Sequence, residues 1–572
     1  MDDFAWLGLK QEIASIPDGN GWKLLFEPRA QGTVRLFSER LYFWILHSIF
    51  GLDPLPFRVC AFTVQFVNLW LLMRITSRLT KSWIAGTAAA FFFAVSAHAA
   101  KPLAWASSFN QILAACCMLA AFHWFLDWIE TGKPRFWWMQ FVIFLLSFGV
   151  LESAIVYPAI ATLWTLLFAR HRLRGSLPLW IPSAAFAALH LYWIPRPASV
   201  LYTPLFDTGM LASLVTYTRM ALGSNRIAIA LAILLFGAVF WRGINEKDWK
   251  PLFFYAWFVT FLTPVLPFQN RIADYYLVLP STGLALCIGC LLRGKFVYPG
   301  AAALAVFAWT SAITAQVQLD WLSNRSERIH RVFDAAGQLV KTKNIDTLLL
   351  SGVDTDLFMT ALQDSPFRLL GLTRVYLVPG SESAILSRAD LGGVNAYRIT
   401  LPQAIQALES GSAAVLSITA DQVFDATARY KSVAMTQYLQ GSPRSVNVGE
   451  HGYESLLGPG WWPIEDKFRW MAKTASVTLG APGLQNKDRL HISGFCPPTV
   501  AAAGPITLTV RANGTTIGQK TLTETAAFTA TFVIPKVDTQ TIRIDLEVSR
   551  VTRLAGDKRD LGLIFGTFSI HP

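Results

Sequence analysis

Charged residues are scarce in this sequence, and their scarcity excludes two broad classes of protein. Of its 572 residues only 15% are Asp, Glu, Lys or Arg, whereas 53% are hydrophobic and 21 residues are Trp. A disordered chain carries far less apolar surface, and soluble globular domains contain roughly 25% charged residues. The chain is therefore neither disordered nor wholly water-soluble.

Cysteines and the common cofactor motifs are also few. Of the six Cys, only Cys496 lies in the polar C-terminal part, so no disulfide framework is predicted. The sequence contains no HExxH helix, no phosphate-binding P-loop and no dinucleotide-binding fingerprint. The sequence therefore does not indicate a zinc protease or an enzyme that binds a free nucleotide.

Long apolar runs are what the sequence has instead. About ten runs approach or reach the roughly 17 to 25 residues that cross a bilayer as a helix, and they stop near Leu319. They cover approximately residues 58–75, 83–99, 109–129, 136–150, 154–169, 177–194, 227–241, 251–268, 275–292 and 296–317. The sequence therefore predicts a polytopic α-helical membrane domain over residues 58–318.

The Lys and Arg residues of the short loops orient these runs. Alternate loops hold most of them, and by the positive-inside rule these loops face the cytoplasm. The basic set comprises Arg74, Arg78, Lys81, Lys133, Arg135, Arg170, Arg172, Arg174, Arg242, Lys247, Lys250, Arg293 and Lys295, against Lys101, Arg196, Arg219, Arg226 and Arg271 in the other loops. The net charge of +12 is thus a topology signal, and no nucleic-acid partner is predicted. Ten crossings of the inner (plasma) membrane leave both ends of the chain extracytoplasmic.

The first 57 residues would lie outside with no preceding span to translocate them. We therefore expect either a first transmembrane helix upstream of Met1 or a short tail that the first helix carries across. Residues 41–52 are apolar but too short to span, so they predict a helix at the outer membrane interface. Residues 1–57 are then an outer N-terminal loop with an interfacial helix.

Two water-soluble domains are predicted after the last apolar run. Residues 473–572 carry seven short strand-like runs without helices, and Asn513-Gly514 predicts a type I′ hairpin, a pattern typical of a β-sandwich. Such a sandwich either binds carbohydrate or serves as a spacer. In residues 319–472, strand-like and helical runs alternate, which favours a small α/β domain. Its strands are predicted at 347–353, 373–378 and 413–419, and its helices at 354–363, 402–408 and 421–430 and from an N-cap at Asn324.

Ionisable residues at the outer membrane boundary are the candidates for chemistry, because a charge near hydrocarbon is costly and tends to be functional. All of them are predicted on one membrane face, where they would converge on one outward-opening groove. A carboxylate there can accept the proton of an attacking hydroxyl, and Arg or Lys can pair with a leaving phosphate. The groups are Asp2 with Asp3; Glu27, Arg29, Arg35, Glu39 and Arg40; His98, Lys101, Trp105, Ser108, Asn110 and Gln111; Glu152; and Gln269, Asn270, Arg271, Asp274, Tyr275 and Tyr276.

Three stretches resemble segments of one family. RIADYYLVLPSTGLAL at 271–286 is similar to the Arg-Tyr-x-Tyr-Leu-Pro-Ser-x-Gly-Leu segment of polytopic O-mannosyltransferases that carry tetratricopeptide repeats, and residues 50–80 and 94–124 look like the matching loop and spans. These proteins are class C glycosyltransferases (GT-C), which take sugars from polyprenyl-phosphate carriers on the outer membrane face. The sequence departs from them in its missing first span and repeats, and in its α/β region and β-sandwich.

The resemblance implies a membrane glycosyltransferase that moves a hexosyl or pentosyl group from a polyprenyl-phosphate carrier to an extracytoplasmic glycan, lipid or protein acceptor. In that family the catalytic base is an acidic residue of the first outer loop, which Asp2 and Asp3 match. No cofactor is assigned, because the Asp pair alone does not imply a divalent cation. Arg271, helped by Lys101 or Arg35, would hold the phosphate, and the other candidate substrate contacts are Asp274, Tyr275, His98, Asn110, Gln111 and Glu152.

Simpler interpretations of the same residues stay open. Asp2 and Asp3 would be a flexible start of the chain, Arg271 a helix anchor with Asp274 as its partner, and Asn110, Gln111 and Glu152 helix caps, while His98 and Lys101 would be ordinary polar loop residues. The protein would then be a non-catalytic membrane protein that binds glycan or organises envelope assembly. A transporter of lipid-linked sugar is a third alternative, but polar residues within the spans are scarce, chiefly Gln65 and Asn68.

Overall fold

The computed structural model describes all of the chain except residues 1–2, 30–32, 194–201, 224–225, 387–392, 420–421, 441, 466–467, 483–487, 555–556 and 558. The chain divides into two compact units, one that ends at Arg325 and one that begins at Ser326. The first unit is built from apolar helices, and all the strands assigned in the described residues lie in the second. The sequence thus places the helical and the β-rich parts correctly.

The helical unit has a helix at each of the ten apolar runs. Breaks between the runs often coincide with Pro or Gly, which interrupt helical hydrogen bonding, so the helices end close to where the hydropathy predicts. The helix Gly209–Ala221 is one that the apolar runs do not predict. The other helices are Leu55–Thr80, Trp83–Val95, Phe109–Thr131, Pro134–Ser147, Tyr157–Phe168, Trp180–Trp193, Arg226–Asn245, Lys250–Leu262, Val278–Leu291 and Val297–Lys343.

Not all of these helices are long enough to cross a membrane. In the described part of the chain, four pass by length and apolar composition, or up to five if the pair Trp83–Val95 and Ala97–Ala104, bent by 58°, is one span. The prediction of about ten crossings is therefore not confirmed. The four helical stretches are Leu55–Thr80, Ala106–Thr131, Asp274–Leu291 and Val297–Lys343, and three shorter apolar ones are Glu152–Phe168, Ile229–Asn245 and Lys250–Leu262.

Two long helices of this unit run in the same direction. Tyr42 contacts the first turn of both Leu55–Thr80 and Phe109–Thr131, through a hydrogen bond of 2.9 Å to the former and ring stacking at 4.2 Å on the latter. Near their other ends, Arg78 pairs with Asp127 at 2.8 Å. The unit therefore has two distinct ends, which are defined by the beginnings and the ends of these helices.

The end where both helices finish gathers residues of the predicted cytoplasmic set. Lys250 Nζ donates to the carbonyl of Leu79 at 3.1 Å. Arg242 donates to the carbonyl of Arg293 at 2.8 Å, and Arg293 in turn pairs with Asp248. Basic loops that the sequence assigns to one membrane face thus share one end of the unit, while the orientation of that end toward the cytoplasm stays a prediction.

The N-terminal segment is mostly helical rather than a loop. Buried Arg40 holds it together, because its guanidinium donates to the carbonyls of Leu24 at 3.1 Å and Thr33 at 3.2 Å and lies 5.9 Å from the ring of Trp6. Burial, with Arg29 nearby, lowers the pKa of Arg40 to about 10. The helices are Asp3–Leu7, Leu9–Ser15, Pro17–Leu25, Leu36–Leu41 and Tyr42–Phe50, the last of which matches the helix predicted over 41–52.

The longest helix runs without a break from Val297 to Lys343. The N-cap predicted at Asn324 is wrong, because helical residues continue on both sides of it. No Gly or Pro occurs between residues 301 and 336, so nothing in the sequence interrupts the hydrogen bonding there. The predicted boundary at residue 319 also falls inside this helix.

A four-stranded sheet forms the first part of the second unit. The strands are β1 (Thr347–Ser351), β2 (Arg374–Leu377), β3 (Ala413–Ile418) and β4 (Val423–Asp425), in the order β2-β1-β3-β4. Strands β1 to β3 are parallel and β4 is antiparallel to β3, and helices Leu401–Glu409 and Thr427–Gln440 complete the α/β domain. The helix predicted over 421–430 is wrong at its start, because the edge strand β4 precedes the helix.

The C-terminal part is a β-sandwich of two antiparallel sheets. One has the order β11-β10-β13-β8, and the other β12-β9-β14-β7-β6 with β5 paired to β14. Asn513 and Gly514 have φ of 49° and 85° between β10 and β11, as a type I′ hairpin requires. Three of its strands precede residue 473, where the domain is predicted to begin. The strands are β5 (Ser445–Asn447), β6 (Trp461–Glu465), β7 (Phe468–Met471), β8 (Thr474–Gly480), β9 (Arg489–Phe495), β10 (Ile506–Ala512), β11 (Thr515–Leu522), β12 (Ala527–Val533), β13 (Thr541–Val548) and β14 (Ile564–His571).

A buried polar network lies between the α/β sheet and the sandwich. Ser351 of β1 and Ser417 of β3 lie at 3.3 Å and 2.8 Å from the two ring nitrogens of His451. Glu454, which is 2% exposed, contacts His451 at 3.3 Å and Arg469 of β7 at 3.5 Å. Each buried charge in this network depends on its partner.

We predict that Glu454→Ala strongly destabilises the folded state of the second unit, because it leaves the Arg469 guanidinium buried without its carboxylate. Removing one partner of a buried ion pair costs about 3 to 5 kcal/mol, whereas an exposed pair contributes less than about 1 kcal/mol. The matched control is Glu547→Ala, which breaks the more exposed pair with Arg511. Hydrogen exchange of the intact detergent-purified protein measures the loss of amide protection in β7 and β8 for each variant. If the two variants lose protection equally there, the larger contribution of the buried pair is contradicted.

Candidate functional site

The polar segment of residues 96–108 follows the helix Trp83–Val95 as a series of short turns. It forms the turns Ala97–Ala99, Ala100–Ala104 and Ala106–Ser108 before the next long helix begins at Phe109. Pro102 has no N–H to donate, so it fits the first turn of a new helix but not the interior of a continued one. The chain therefore breaks here, and the break presents several polar side chains at the beginning of Phe109–Thr131.

Asp3 is held against this segment. Its Oδ1 accepts hydrogen bonds from the backbone N–H of Ser107 at 2.8 Å and from the Ser107 hydroxyl. Asp2, the other predicted catalytic acid, lies outside the described residues. Of the predicted pair, Asp3 is thus fixed beside a segment that carries four other candidates.

Arg35 and Glu152 form a second contact to the same region through Glu39. Arg35 donates to Glu152 with both Nε and Nη2, the latter at 2.9 Å, and to Glu39 with Nη1 at 2.8 Å. Asn110 Nδ2 donates to the same Glu39 oxygen at 3.0 Å. Two carboxylates therefore compensate the charge of Arg35. Its role as a helper in phosphate binding stays a prediction, and a phosphate would have to compete with these two carboxylates.

Glu39 is one of the boundary residues that the sequence singles out, but no catalytic or substrate-binding role is predicted for it. The side chain is 4% exposed, and its second oxygen, Oε2, has no hydrogen-bond partner among the described residues. Burial raises the pKa of Glu39 above its ordinary value in spite of Arg35. The only signal in the sequence is the i,i+4 spacing of Arg35 and Glu39, which is an ion-pair spacing on a helix.

Asp274 pairs with Lys101 and not with Arg271. Lys101 Nζ lies 2.9 Å from Asp274 Oδ2, and the other carboxylate oxygen accepts the backbone N–H of Tyr275 at 2.9 Å. The interpretation of Asp274 as the structural partner of Arg271 is therefore wrong. The reason is that Asp274 lies at the turn before Val278–Leu291, which faces the segment containing Lys101. The charge of Lys101 is compensated, as is that of Arg35.

Arg271 is a cation of the candidate residues whose partners are aromatic. Its guanidinium contacts the hydroxyl of Tyr275 at 3.3 Å and lies over the ring of Tyr202 at 5.2 Å. Its Nε is buried without a hydrogen-bond partner, and no Asp or Glu pairs with it among the residues that the structure describes. A half-buried guanidinium stacked on an aromatic ring and free of carboxylates is suited to binding an anion.

The remaining candidates are buried in the same region. His98 is 3% exposed, and neither its Nε2 nor the Nε1 of Trp105 has a hydrogen-bond partner within the described ranges. Gln111 is also buried. The Trp105 ring meets that of Tyr275 edge-on at 6.1 Å and thus joins the two halves of the cluster. Buried polar atoms without partners are rare in proteins, and they often mark where a ligand or water binds.

The predicted site residues are thus brought together, apart from Asp2, which the structure does not describe. We refer to this group as the candidate site, and it lies at the end of the helical unit opposite the basic loops. No group of three or more His, Cys, Asp or Glu in the described chain is arranged to hold a metal ion. The candidate site consists of Asp3, Arg35, Glu39, His98, Lys101, Trp105, Asn110, Gln111, Glu152, Arg271, Asp274 and Tyr275.

We predict that Glu39 makes the stability of the helical unit depend on pH. Its folded pKa lies above the ordinary value of 4.5, so the folded state binds the proton more tightly, and stability falls as the pH rises from about 4.5 through the folded pKa. Glu39→Gln cannot titrate and so removes this loss. The thermal midpoint of the variant minus that of the natural protein therefore increases as the pH rises. Tryptophan fluorescence of the detergent-purified protein measures the midpoint, and Glu27→Gln is the exposed control. Parallel pH profiles for Glu39→Gln and the natural protein would refute the prediction.

Comparisons with known proteins identify no family for this chain. No family model and no curated protein matches it. Among solved structures, the apo crystal structure of the Archaeoglobus fulgidus oligosaccharyltransferase is similar with a TM-score of 0.38 and 11% sequence identity, over 99% of this chain and 92% of that one. A likeness at this level carries no argument for fold or function. The residues of the candidate site therefore carry the functional interpretation.

Proposed function

We propose that this protein is a membrane glycosyltransferase of the GT-C type, which transfers a sugar from a polyprenyl-phosphate carrier to an extracytoplasmic glycan, lipid or protein. The observation that carries the proposal is the uncompensated charge of Arg271 beside a segment that binds carboxylates from distant parts of the chain. The similarity of residues 271–286 to the family segment supports the same conclusion.

The charges of the candidate site distinguish one cation from the others. Lys101 and Arg35 each contact a carboxylate at 2.9 Å, whereas Arg271 contacts two tyrosines. A phosphate would have to displace an existing ion pair to reach Lys101 or Arg35. At Arg271 a phosphate would instead supply the missing acceptor. The Nε of Arg271 has no hydrogen-bond partner, and a guanidinium can bind a phosphate through two parallel hydrogen bonds.

The proposed reaction uses two groups of this chain. An Asp of the N-terminal pair, Asp3 or Asp2, accepts the proton of the acceptor hydroxyl. The hydroxyl oxygen forms a bond to the anomeric carbon of the donor sugar, and the bond from that carbon to the carrier phosphate breaks. The phosphate leaves with the bonding electron pair, and Arg271 stabilises the charge that develops on it.

The alternative of a non-catalytic scaffold differs from this proposal in one measurable respect. A scaffold that binds glycan needs no cation reserved for a phosphate and no carboxylate held beside it. Transfer of labelled sugar from a polyprenyl-phosphate donor to an added glycan acceptor, in detergent, separates the two. A scaffold gives no turnover with any polyprenyl-phosphate sugar.

We predict that Arg271→Ala reduces this transfer by about 10²-fold or more, because the leaving phosphate loses its stabilising charge. Arg271→Lys keeps a charge but not the two parallel hydrogen bonds, so it restores only part of the rate. Arg219→Ala removes an exposed Arg of another predicted outer loop and is the control. If Arg271→Ala and Arg219→Ala have equal rates, the phosphate role of Arg271 is wrong.

We predict that the double variant Asp2→Asn with Asp3→Asn reduces transfer by about 10² to 10⁴-fold, the usual contribution of a general base. Asp3→Asn alone keeps one hydrogen bond to Ser107, so the protein stays folded and the loss reports on chemistry. Rates are compared at several pH values, because loss of a base removes the rising limb of the pH profile. Full activity of the double variant would eliminate the N-terminal acids as the base.

A further inference from the structure

A polar groove of about 490 Å³ lies in the second unit, at the edge of the α/β sheet where its parallel strands begin. Its walls come from the beginnings of β1 and β2, the turn before β3 and the helix Leu401–Glu409. Pockets of about 300 to 1,000 Å³ are the usual size for small-molecule sites. The volume is therefore sufficient for about one or two sugar rings.

The groove has two cations, and both are compensated. Arg374 pairs with Asp346, and Arg398 pairs with Glu382 at 3.2 Å. Hydrogen bonds from Thr347 and Arg374 hold the pKa of Asp346 below its ordinary value, so this carboxyl is ionised at neutral pH. No other charged residue lines the groove in the part of the chain that the structure describes. The partners Asp346 and Glu382 are not lining residues, but each guanidinium of the lining is already paired, in contrast to that of Arg271.

The uncharged lining offers both donors and acceptors of hydrogen bonds. Gln406 has an exposed amide that can do both, and the hydroxyls of Ser410 and Ser412 lie 2.9 Å apart beside it. Each hydroxyl of a neutral sugar is likewise a donor and an acceptor, so it can bond to such groups in either direction. The half-buried ring of Tyr376 adds an apolar surface of the kind that packs against the C–H face of a sugar ring.

An anionic ligand fits this groove poorly. A phosphate, sulfate or carboxylate would need uncompensated positive charge, and here each guanidinium already has a carboxylate within ion-pair distance. The Arg-carboxylate pairs instead present donors and acceptors side by side, which is the arrangement that neighbouring hydroxyls of a sugar require.

We propose that this groove binds a neutral oligosaccharide, with Gln406, the two serines and Tyr376 as the principal contacts. The binding itself is independent of any transfer activity. That the bound chain is the sugar acceptor rests on the proposed function, because a transferase must bind an acceptor as well as its lipid-linked donor.

The test is an oligosaccharide array probed with the full-length protein in detergent. The array carries neutral hexose, pentose and N-acetylhexosamine chains next to the same chains bearing phosphate, sulfate or uronate. We expect binding to a subset of the neutral chains, weakened about three- to tenfold by Gln406→Ala through the loss of its hydrogen bonds. Gln519→Ala, an exposed glutamine of β11, is the matched control and is expected to have no effect.

The possible outcomes separate this inference from the proposed transferase. Binding that is equal for Gln406→Ala and the natural protein would overturn the assignment of the groove. So would a preference for the acidic chains, or no binding to the neutral ones at millimolar concentration. Neutral-chain binding that survives Arg271→Ala while transfer is lost supports both proposals. Binding without any transfer activity would support the groove as a glycan site and contradict the proposed transferase activity.

Discussion

The cost of burying charge is the constraint on which the candidate site depends. In the helical unit, charged side chains lie among apolar helices, and each is stable only if a partner compensates it. Arg35 lies between Glu39 and Glu152, and Lys101 contacts Asp274. The Arg35 pairs tie the N-terminal segment to the turn at Glu152, and the Lys101 pair ties the loop before Val278–Leu291 to the turns around residues 97–108. Buried Arg40 also has no carboxylate partner in the described part of the chain, but backbone carbonyls accept its hydrogen bonds. Arg271 has neither a carboxylate nor a carbonyl partner among the described residues, and such a cation is where a charged substrate is expected.

The two units use the same physical rule for different purposes. In the second unit, Glu454 and Arg469 are buried together, and both belong to a network that reaches the ends of β1 and β3. The groove at the opposite edge of the sheet has compensated cations and open hydroxyl and amide groups. Charge that is paired leaves a surface for neutral ligands, and charge that is unpaired leaves a place for an anion. On this basis we propose a phosphate as the ligand of Arg271 and a neutral glycan as the ligand of the groove.

The architecture is largely predictable from sequence because it rests on local patterns. An apolar run of 15 to 20 residues satisfies its backbone best as a helix, and Asn513-Gly514 can adopt the positive φ angles of a tight hairpin. The errors arise where the pattern is weak or ambiguous. Asn324 is a common capping residue, but no Gly or Pro stops the helix around it. The mixed composition of Gly209–Ala221 gives no apolar run, and strand β4 is only three residues long.

The site is less predictable because its pairs join distant parts of the chain. The sequence names nearly all of the residues, since polar groups at the ends of apolar runs stand out. It does not encode which of them meet. Arg271 is only three residues from Asp274 in the sequence, yet Asp274 pairs with Lys101. Glu39 and Glu27 look alike in the sequence, but the fold buries Glu39 and leaves Glu27 exposed.

Binding of a short-chain polyprenyl phosphate, measured by native mass spectrometry of the detergent-released protein, tests the central claim most directly because it needs neither the acceptor nor the sugar. The account predicts a one-to-one complex that is lost in Arg271→Ala and kept in Lys101→Ala. Binding that survives Arg271→Ala would show that the uncompensated guanidinium is not the phosphate site, and the assignment of this protein as a polyprenyl-phosphate-dependent transferase would lose its physical basis.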